Sequence, residues 1–125
     1  MKVRIEPSIA SGKIVVPPSK SYAHRLLITS MLSKEVCTIS NIDLSSDILA
    51  SIGCIKTLGK KVTILDEEIN KKLIIEPDEL KQEELVFDCN ESGSTLRFFI
   101  PIALALGKKV KFIGTEKLIS RGIAP

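Results

Sequence analysis

Short apolar runs typical of strands alternate with longer runs typical of helices along this chain. Apolar and polar residues alternate over 2–9, and a second β-rich run covers 13–16. Pro17 and Pro18 end that run, because proline cannot continue a strand ladder. Apolar residues then recur at helical spacing behind a pair of serines that can cap a helix. The first part of the chain therefore predicts a strand pair followed by a helix.

The rest of the chain continues this alternation. A second helical pattern over 47–58 stops at Gly59, and a third over 95–106 stops at Gly107. Strand patterns cover five further stretches, of which the second and third are predicted to pair: 36–39, 62–65, 73–75, 83–88 and 110–113. Strands and helices in this order predict an α/β (α+β) fold.

Composition excludes several classes of protein. The chain is 44% hydrophobic but only 4% aromatic, so its core must be aliphatic. Its 18 basic and 15 acidic residues give a net charge of +3, well short of a nucleic-acid-binding surface. The three cysteines have no CxxC spacing, and there is one histidine, which argues against a disulfide framework and against a zinc site. We expect free, mostly buried thiols.

The start of the chain carries charges where a signal peptide needs an apolar core, and no stretch approaches the length of a membrane span. These features predict a cytoplasmic protein.

A weak internal repeat relates two parts of the chain. Residues 20–28 can be laid on 92–100, which aligns Arg25 with Arg97, and residues 34–40 then match 108–114. The match is loose, so chance is the alternative explanation. If the repeat is real, it predicts copied β-α-β units with similar helix starts, the second copy being cut short. We therefore expect the chain to be a fragment of a longer protein.

The first candidate site is the helix start over residues 17–25. A helix N-terminus offers unpaired N–H groups and a positive dipole end, which together attract anions. Lys20 and Ser21 lie in that first turn, and Arg25 follows about one turn later. The plain alternative is a serine cap with two surface charges. The combination of hydroxyls, a lysine and an arginine at one helix start, directly after the two prolines, favours a phosphate-binding role.

The second candidate site covers residues 90–97. Gly93 allows close approach of the backbone to a ligand, and the hydroxyls of Ser94 and Thr95 lie near a predicted helix start. Arg97 follows soon after, as Arg25 does in the first site. The alternative is an ordinary capped helix, but the pairing with the first site favours a binding role.

Residues 17–25 closely resemble the substrate-binding segment of the 5-enolpyruvylshikimate-3-phosphate synthase family, and residues 91–97 resemble its second signature. The similarity runs over the whole chain. It implies transfer of the enolpyruvyl group of phosphoenolpyruvate to the 5-hydroxyl of shikimate 3-phosphate. It also implies a fold of repeated β-α-β-α-β-β units, of which the chain holds one and part of a second. Family members are several times longer, so the resemblance is to their N-terminal portion.

The resemblance also implies roles for six residues. It places Lys20 against both substrates, Ser21 and Arg25 against shikimate 3-phosphate, and three residues near phosphoenolpyruvate: Gly93, Arg97 and Arg121. It implies no cofactor and no metal. It assigns no catalytic residue to this chain, because the general acid and base of the family come largely from the C-terminal domain.

Two positions depart from the family pattern. Glu91 stands where the family often has asparagine, and a carboxylate beside an anionic substrate is unfavourable unless it is paired or turned away. Gly122 stands where the family usually has proline, so the backbone that places Arg121 is less constrained. Asp47 resembles a recurrent acidic position but receives no chemical role.

The resemblance divides the chain in two. Residues 1–16 are expected to form a strand pair that packs against a domain outside this chain, and its exposed edge is expected to drive dimerisation. Residues 17–125 are expected to form the first unit and part of the second unit of the N-terminal domain. Three alternatives stay open: a UDP-N-acetylglucosamine enolpyruvyl transferase-like protein, a non-catalytic phosphate-binding module and a relative of RNA 3′-phosphate cyclases.

Overall fold

The computed structural model describes residues 2–4, 6–78 and 84–122, in which helices and strands alternate as the sequence predicts. The elements are α1 (Lys20–Leu32), β1 (Cys37–Ile42), α2 (Ser46–Thr57), β2 (Lys60–Asp66), β3 (Lys71–Pro77), β4 (Leu85–Asp88), α3 (Gly93–Leu106), β5 (Val110–Ile113) and α4 (Glu116–Ser120).

The strand pair predicted near the start of the chain is wrong. Residues 2–4 and 6–18 belong to no strand, and their apolar side chains are largely exposed, Ile9 and Val15 almost completely. A β-rich run forms a ladder only when a neighbouring strand offers paired N–H and C=O groups. The described part of this chain offers none. The predicted dimer depended on the edge of that strand pair, and the assignment of this segment to another domain stays a prediction.

The elements from α1 to β3 form the first unit. The hairpin of β2 and β3 pairs Lys60 with Pro77 through to Asp66 with Lys71, and β1 adds to the other edge of β3. The result is an antiparallel sheet in the order β1-β3-β2. This is the predicted β-α-β-α-β-β unit without its opening strand.

A parallel β-α-β crossover begins the second unit. Strands β4 and β5 pair in parallel, with α3 connecting them. Phe87 of β4 lies edge-on to Phe99 of α3 at 5.3 Å and to Phe112 of β5 at 5.4 Å between ring centroids. The helix continues through Pro101 to Leu106 and ends where Gly107 adopts φ 62°. Residues 79–83, with the first residue of the strand predicted over 83–88, lie outside the described residues.

Helix α2 lies at the centre of the molecule. It packs against α1 and α3, and it also contacts β2 and β4. Its buried face is aliphatic, with Ile48, Ile52 and Ile55 almost fully removed from water. The first turns of the three helices lie close together, because Lys20 of α1 pairs with Asp47 of α2 and Thr95 of α3 donates to the Asp47 carbonyl.

Candidate anion-binding site

The first turn of α1 is capped as the sequence predicts. The Ser19 hydroxyl accepts a hydrogen bond from the backbone N–H of Tyr22 at 3.3 Å, which satisfies one of the free N–H groups of the helix start. Ala23 and Leu27 are buried against the core, which turns the opposite face of the turn outward. Lys20 and Ser21 therefore lie exposed at the helix start, where an anion can reach them.

Lys20 forms an ion pair with Asp47 in the first turn of α2. The Lys20 side chain is half exposed, while that of Asp47 is mostly covered. The negative charge of Asp47 is stabilised by the positive dipole end of α2, and Lys20 of α1 adds a second positive charge beside it. The two helix starts are thereby joined by a charged contact.

Arg25 lies against the third helix. Its Nη1 donates to the Ser21 carbonyl at 2.8 Å, and its Cζ lies 5.8 Å from the ring centroid of Phe98. Guanidinium groups are attracted to the negative face of an aromatic ring at this distance. The contact holds the exposed Arg25 beside α3, because Phe98 is the residue that follows Arg97 in that helix.

The start of α3 repeats the arrangement of α1. The Ser92 hydroxyl accepts from the backbone N–H of Thr95 at 3.1 Å. A Cβ added to Gly93 would lie 3.4 Å from Nη1 of Arg97, so the arginine folds back over the glycine. Gly93 and Arg97 thus come together at one helix start, as the sequence predicts.

Polar groups beneath these cations connect the three helices. His24 Nδ1 lies 2.9 Å from the Ser51 hydroxyl, and Ser51 lies 2.9 Å from the hydroxyl of Thr95. Thr95 also donates to the Asp47 carbonyl at 3.3 Å and contacts the Ser92 hydroxyl at 2.7 Å. Burial lowers the pKa of His24; Asp47 opposes this shift, and the nearby positive charges of α1 add to it.

Glu91 is paired with Lys117 of α4 at 3.0 Å. A carboxylate beside an anionic substrate is unfavourable, and the positive charge of Lys117 offsets the negative charge of Glu91 here. Helix α4 is held here by Thr115, whose N–H donates to the Asn90 carbonyl at 3.0 Å, and by Leu118, which is buried near Gly93.

Arg121 is not brought to the other predicted site residues by any described contact. It lies exposed at the C-terminal end of α4 and is followed by Gly122 with φ 66°. A left-handed conformation there is open to glycine and closed to proline, whose ring locks φ near −65°. The structure thus gives a reason for Gly122 in this chain.

Sequence reasoning gave no role at this site to four residues that the structure brings to it, although it noted Asp47 as a recurrent acidic position: Asp47, Ser51, His24 and Phe98. Asp47 and Ser51 are four residues apart and therefore share one face of α2, which is a signal that the sequence contains. Only the structure shows that this face meets both α1 and α3. No group of three potential metal ligands occurs among the described residues. None of the helices that the structure describes is long and apolar enough to cross a membrane.

Comparison with known proteins gives a consistent family. A family model described as EPSP synthase (3-phosphoshikimate 1-carboxyvinyltransferase) matches residues 6–125. The 3-phosphoshikimate 1-carboxyvinyltransferase of Clostridium perfringens strain SM101 is 46% identical over 122 residues, covering 96% of this chain and 28% of the relative. The protein of the same name from Clostridioides difficile strain 630 is 46% identical over 126 residues, covering 95% and 29%.

A solved structure gives the same fold. EPSP synthase from Acinetobacter baumannii matches with a TM-score of 0.62 at 19% identity, over 90% of this chain and 25% of that chain. At this identity the likeness concerns the fold alone.

The fold is the α/β fold of the enolpyruvyl transferases. Within that class, the chain belongs to the EPSP synthase family, whose model matches it from residue 6 to its last residue. The chain spans about 28% of the length of the curated relatives that it matches.

Proposed function

We propose that this chain is the N-terminal part of an enzyme that transfers enolpyruvyl from phosphoenolpyruvate to the 5-hydroxyl of shikimate 3-phosphate in the cytoplasm. The observation that carries the proposal is the joining of the two motifs at one end of the molecule. Lys20 contacts Asp47, and the backbone of Asp47 contacts Thr95 at the start of α3. The starts of α1 and α3, with their positively charged side chains, therefore lie close enough to form one anion-binding surface.

The proposed roles follow from this placement and from the family. Lys20 contacts both substrates, and Ser21 and Arg25 hold shikimate 3-phosphate at the start of α1. Gly93, Arg97 and Arg121 serve phosphoenolpyruvate. Two multiply charged anions repel each other, so a surface that binds them together needs oriented cations and helix N–H groups to offset that repulsion. Arg97 and Arg121 form no ion pair with any residue in the described ranges, which leaves both available to an anion.

Calorimetric titration of the chain with shikimate 3-phosphate tests the proposal. We expect weak binding by the natural chain and no measurable binding when Lys20→Ala and Arg25→Ala are combined, because a charged hydrogen bond contributes roughly 1.5–3 kcal/mol. Lys34→Ala, which removes an exposed lysine beyond the end of α1, is the matched control and should bind like the natural chain. Equal binding of unrelated phosphates would instead favour a non-catalytic phosphate-binding module.

The chain alone is expected to be inactive. By the resemblance, the general acid and base belong to a part of the family's enzymes outside this chain. A phosphate-release assay with both substrates and the purified 125-residue chain should therefore give no signal above buffer. Phosphate release in that assay would contradict the proposal that the general acid and base lie outside this chain.

A further inference from the structure

A closed path of polar contacts runs beneath the exposed cations of the site. It leads from His24 of α1 to Ser51 of α2 and on to Thr95 of α3. From Thr95 it returns to the Asp47 carbonyl, and the Asp47 side chain pairs with Lys20, one turn before His24 on α1. We call these five residues the polar ring. It connects all three helices that carry the site.

The inner part of the path, from His24 through Ser51 to Thr95, is sealed from water. His24, Ser51 and Thr95 are 1%, 2% and 0% exposed, so water cannot replace a lost partner in their hydrogen bonds. A buried polar group without a partner is costly, and the cost is shared along a connected network. The positions of the three helices are therefore coupled through these contacts.

Counting protons gives the path a direction. The Thr95 hydroxyl is the donor to both the Asp47 carbonyl at 3.3 Å and the Ser92 hydroxyl at 2.7 Å, so its single proton points to these acceptors and away from Ser51. The Ser51 hydroxyl therefore donates to Thr95. Ser51 must then accept from His24, which carries its proton on Nδ1. The His24 Nε2 is left as a bare lone pair, in agreement with its burial without a partner among the described residues. A lone pair without a partner is cheaper to bury than an N–H group.

We infer that His24, Ser51 and Thr95 are positioning residues of the anion site. They touch no substrate. They fix the start of α1, with Lys20, relative to the start of α3, with Gly93, so that the cations of both helices meet one pair of anions. This inference rests on the proposed function, because it assumes that the cations bind shikimate 3-phosphate.

A pair of substitutions at Thr95 separates positioning from packing. Thr95→Val keeps the shape of the side chain and removes the hydroxyl, whereas Thr95→Ser keeps the hydroxyl. In the calorimetric titration we expect about tenfold weaker binding of shikimate 3-phosphate for Thr95→Val, and binding within about twofold of the natural chain for Thr95→Ser. Ser30→Ala is the control, because Ser30 is a buried serine of α1 outside the polar ring. Equal affinities of folded Thr95→Val and Thr95→Ser would overturn the inference.

A second measurement needs no ligand and no variant. His24 is the only histidine of the chain, so its imidazole nitrogens give one set of signals in a 15N spectrum. We expect the proton on Nδ1 at neutral pH. A proton on Nε2 would overturn the polar ring, even if Thr95→Val fails to fold. If the natural chain binds no shikimate 3-phosphate, the proposed function fails, and the spectrum still decides whether the polar ring exists.

Discussion

His24 is the clearest example of a buried residue that lies beneath the exposed cations of the site and contacts the helices that carry them. In the sequence it lies between Ser21 and Arg25, and as the single histidine it argues only against a metal site. The structure buries it, with Nδ1 against Ser51 and its ring 6.2 Å from that of Phe98. Ser21 and Arg25 are exposed on the outer face of α1, while His24 faces the other helices.

The stability of the chain should fall as the pH is lowered below about 6.5, the ordinary pKa of histidine. Burial, the main cause, and the charges of Lys20 and Arg25 lower the pKa of His24 in the folded state, against the opposing effect of Asp47. Between the folded and the unfolded pKa, the unfolded chain binds more protons, so acid favours unfolding there. Above the unfolded pKa this penalty is absent.

Urea denaturation at pH 7.5 and pH 5.5 measures this effect. The natural chain should be less stable at the lower pH, and His24→Asn, which cannot titrate, should show a smaller difference between the two values. Because Asn keeps an N–H near the position of Nδ1, the contact with Ser51 can persist in the variant. An identical pH dependence of the two chains would show that His24 does not control it.

Glu91 and Asp47 show what residue types alone could not predict. A carboxylate in either position conflicts with anion binding when it is considered by itself. Each is paired with a lysine that is 26 or 27 residues away in sequence, Lys117 for Glu91 and Lys20 for Asp47. No local pattern reveals pairs of such separation, because they depend on how the helices pack.

At the scale of elements, the helices and the paired strands follow from their patterns. Helix α3 ends at Gly107 as predicted, and the hairpin of β2 and β3 forms where its alternating residues predict it. The run over residues 13–16 has strand-forming residues as good as those of β1, yet it pairs with no strand in the part of the chain that the structure describes. The β-propensity of a segment shows that it can adopt an extended conformation, but the segment joins a sheet only when a neighbouring strand pairs with it.

Gly114 is required for the close contact between α4 and the start of the second unit. A Cβ there would lie 2.8 Å from the Asn90 carbonyl oxygen and 2.7 Å from Cδ2 of Leu118. We therefore expect Gly114→Ala to lower the free energy of unfolding by about 1–3 kcal/mol, the usual cost of overpacking.

Gly53→Ala provides the matched control for that prediction. Gly53 lies in the interior of α2, and a Cβ there would meet nothing within 4 Å. Alanine should stabilise the helix by about 0.5–1 kcal/mol. Both variants can be compared by urea denaturation. A Gly114→Ala chain as stable as the natural one would show that the backbone at Gly114 does not pack closely against Asn90.

For the whole molecule, the sequence motifs indicated which helix starts carry the candidate binding residues but not how those starts are arranged. Five of the six predicted residues, all but Arg121, lie at the starts of α1 and α3, and contacts through α2 join these two starts. The position of α2 between them follows from its aliphatic face, which no motif marks. Sequence reasoning could not choose α2 as the link, because the packing of helices depends on the summed burial of many ordinary side chains.

The proposed function requires that the starts of α1 and α3 form one binding surface for shikimate 3-phosphate and phosphoenolpyruvate. Following the titration of the natural chain by backbone amide chemical shifts tests it most directly. Shikimate 3-phosphate should shift the amides of Lys20, Ser21 and Tyr22, and later addition of phosphoenolpyruvate should shift those of Gly93 and Ser94. Unchanged amides at both helix starts, or shifts confined to residues distant from them, would contradict the account.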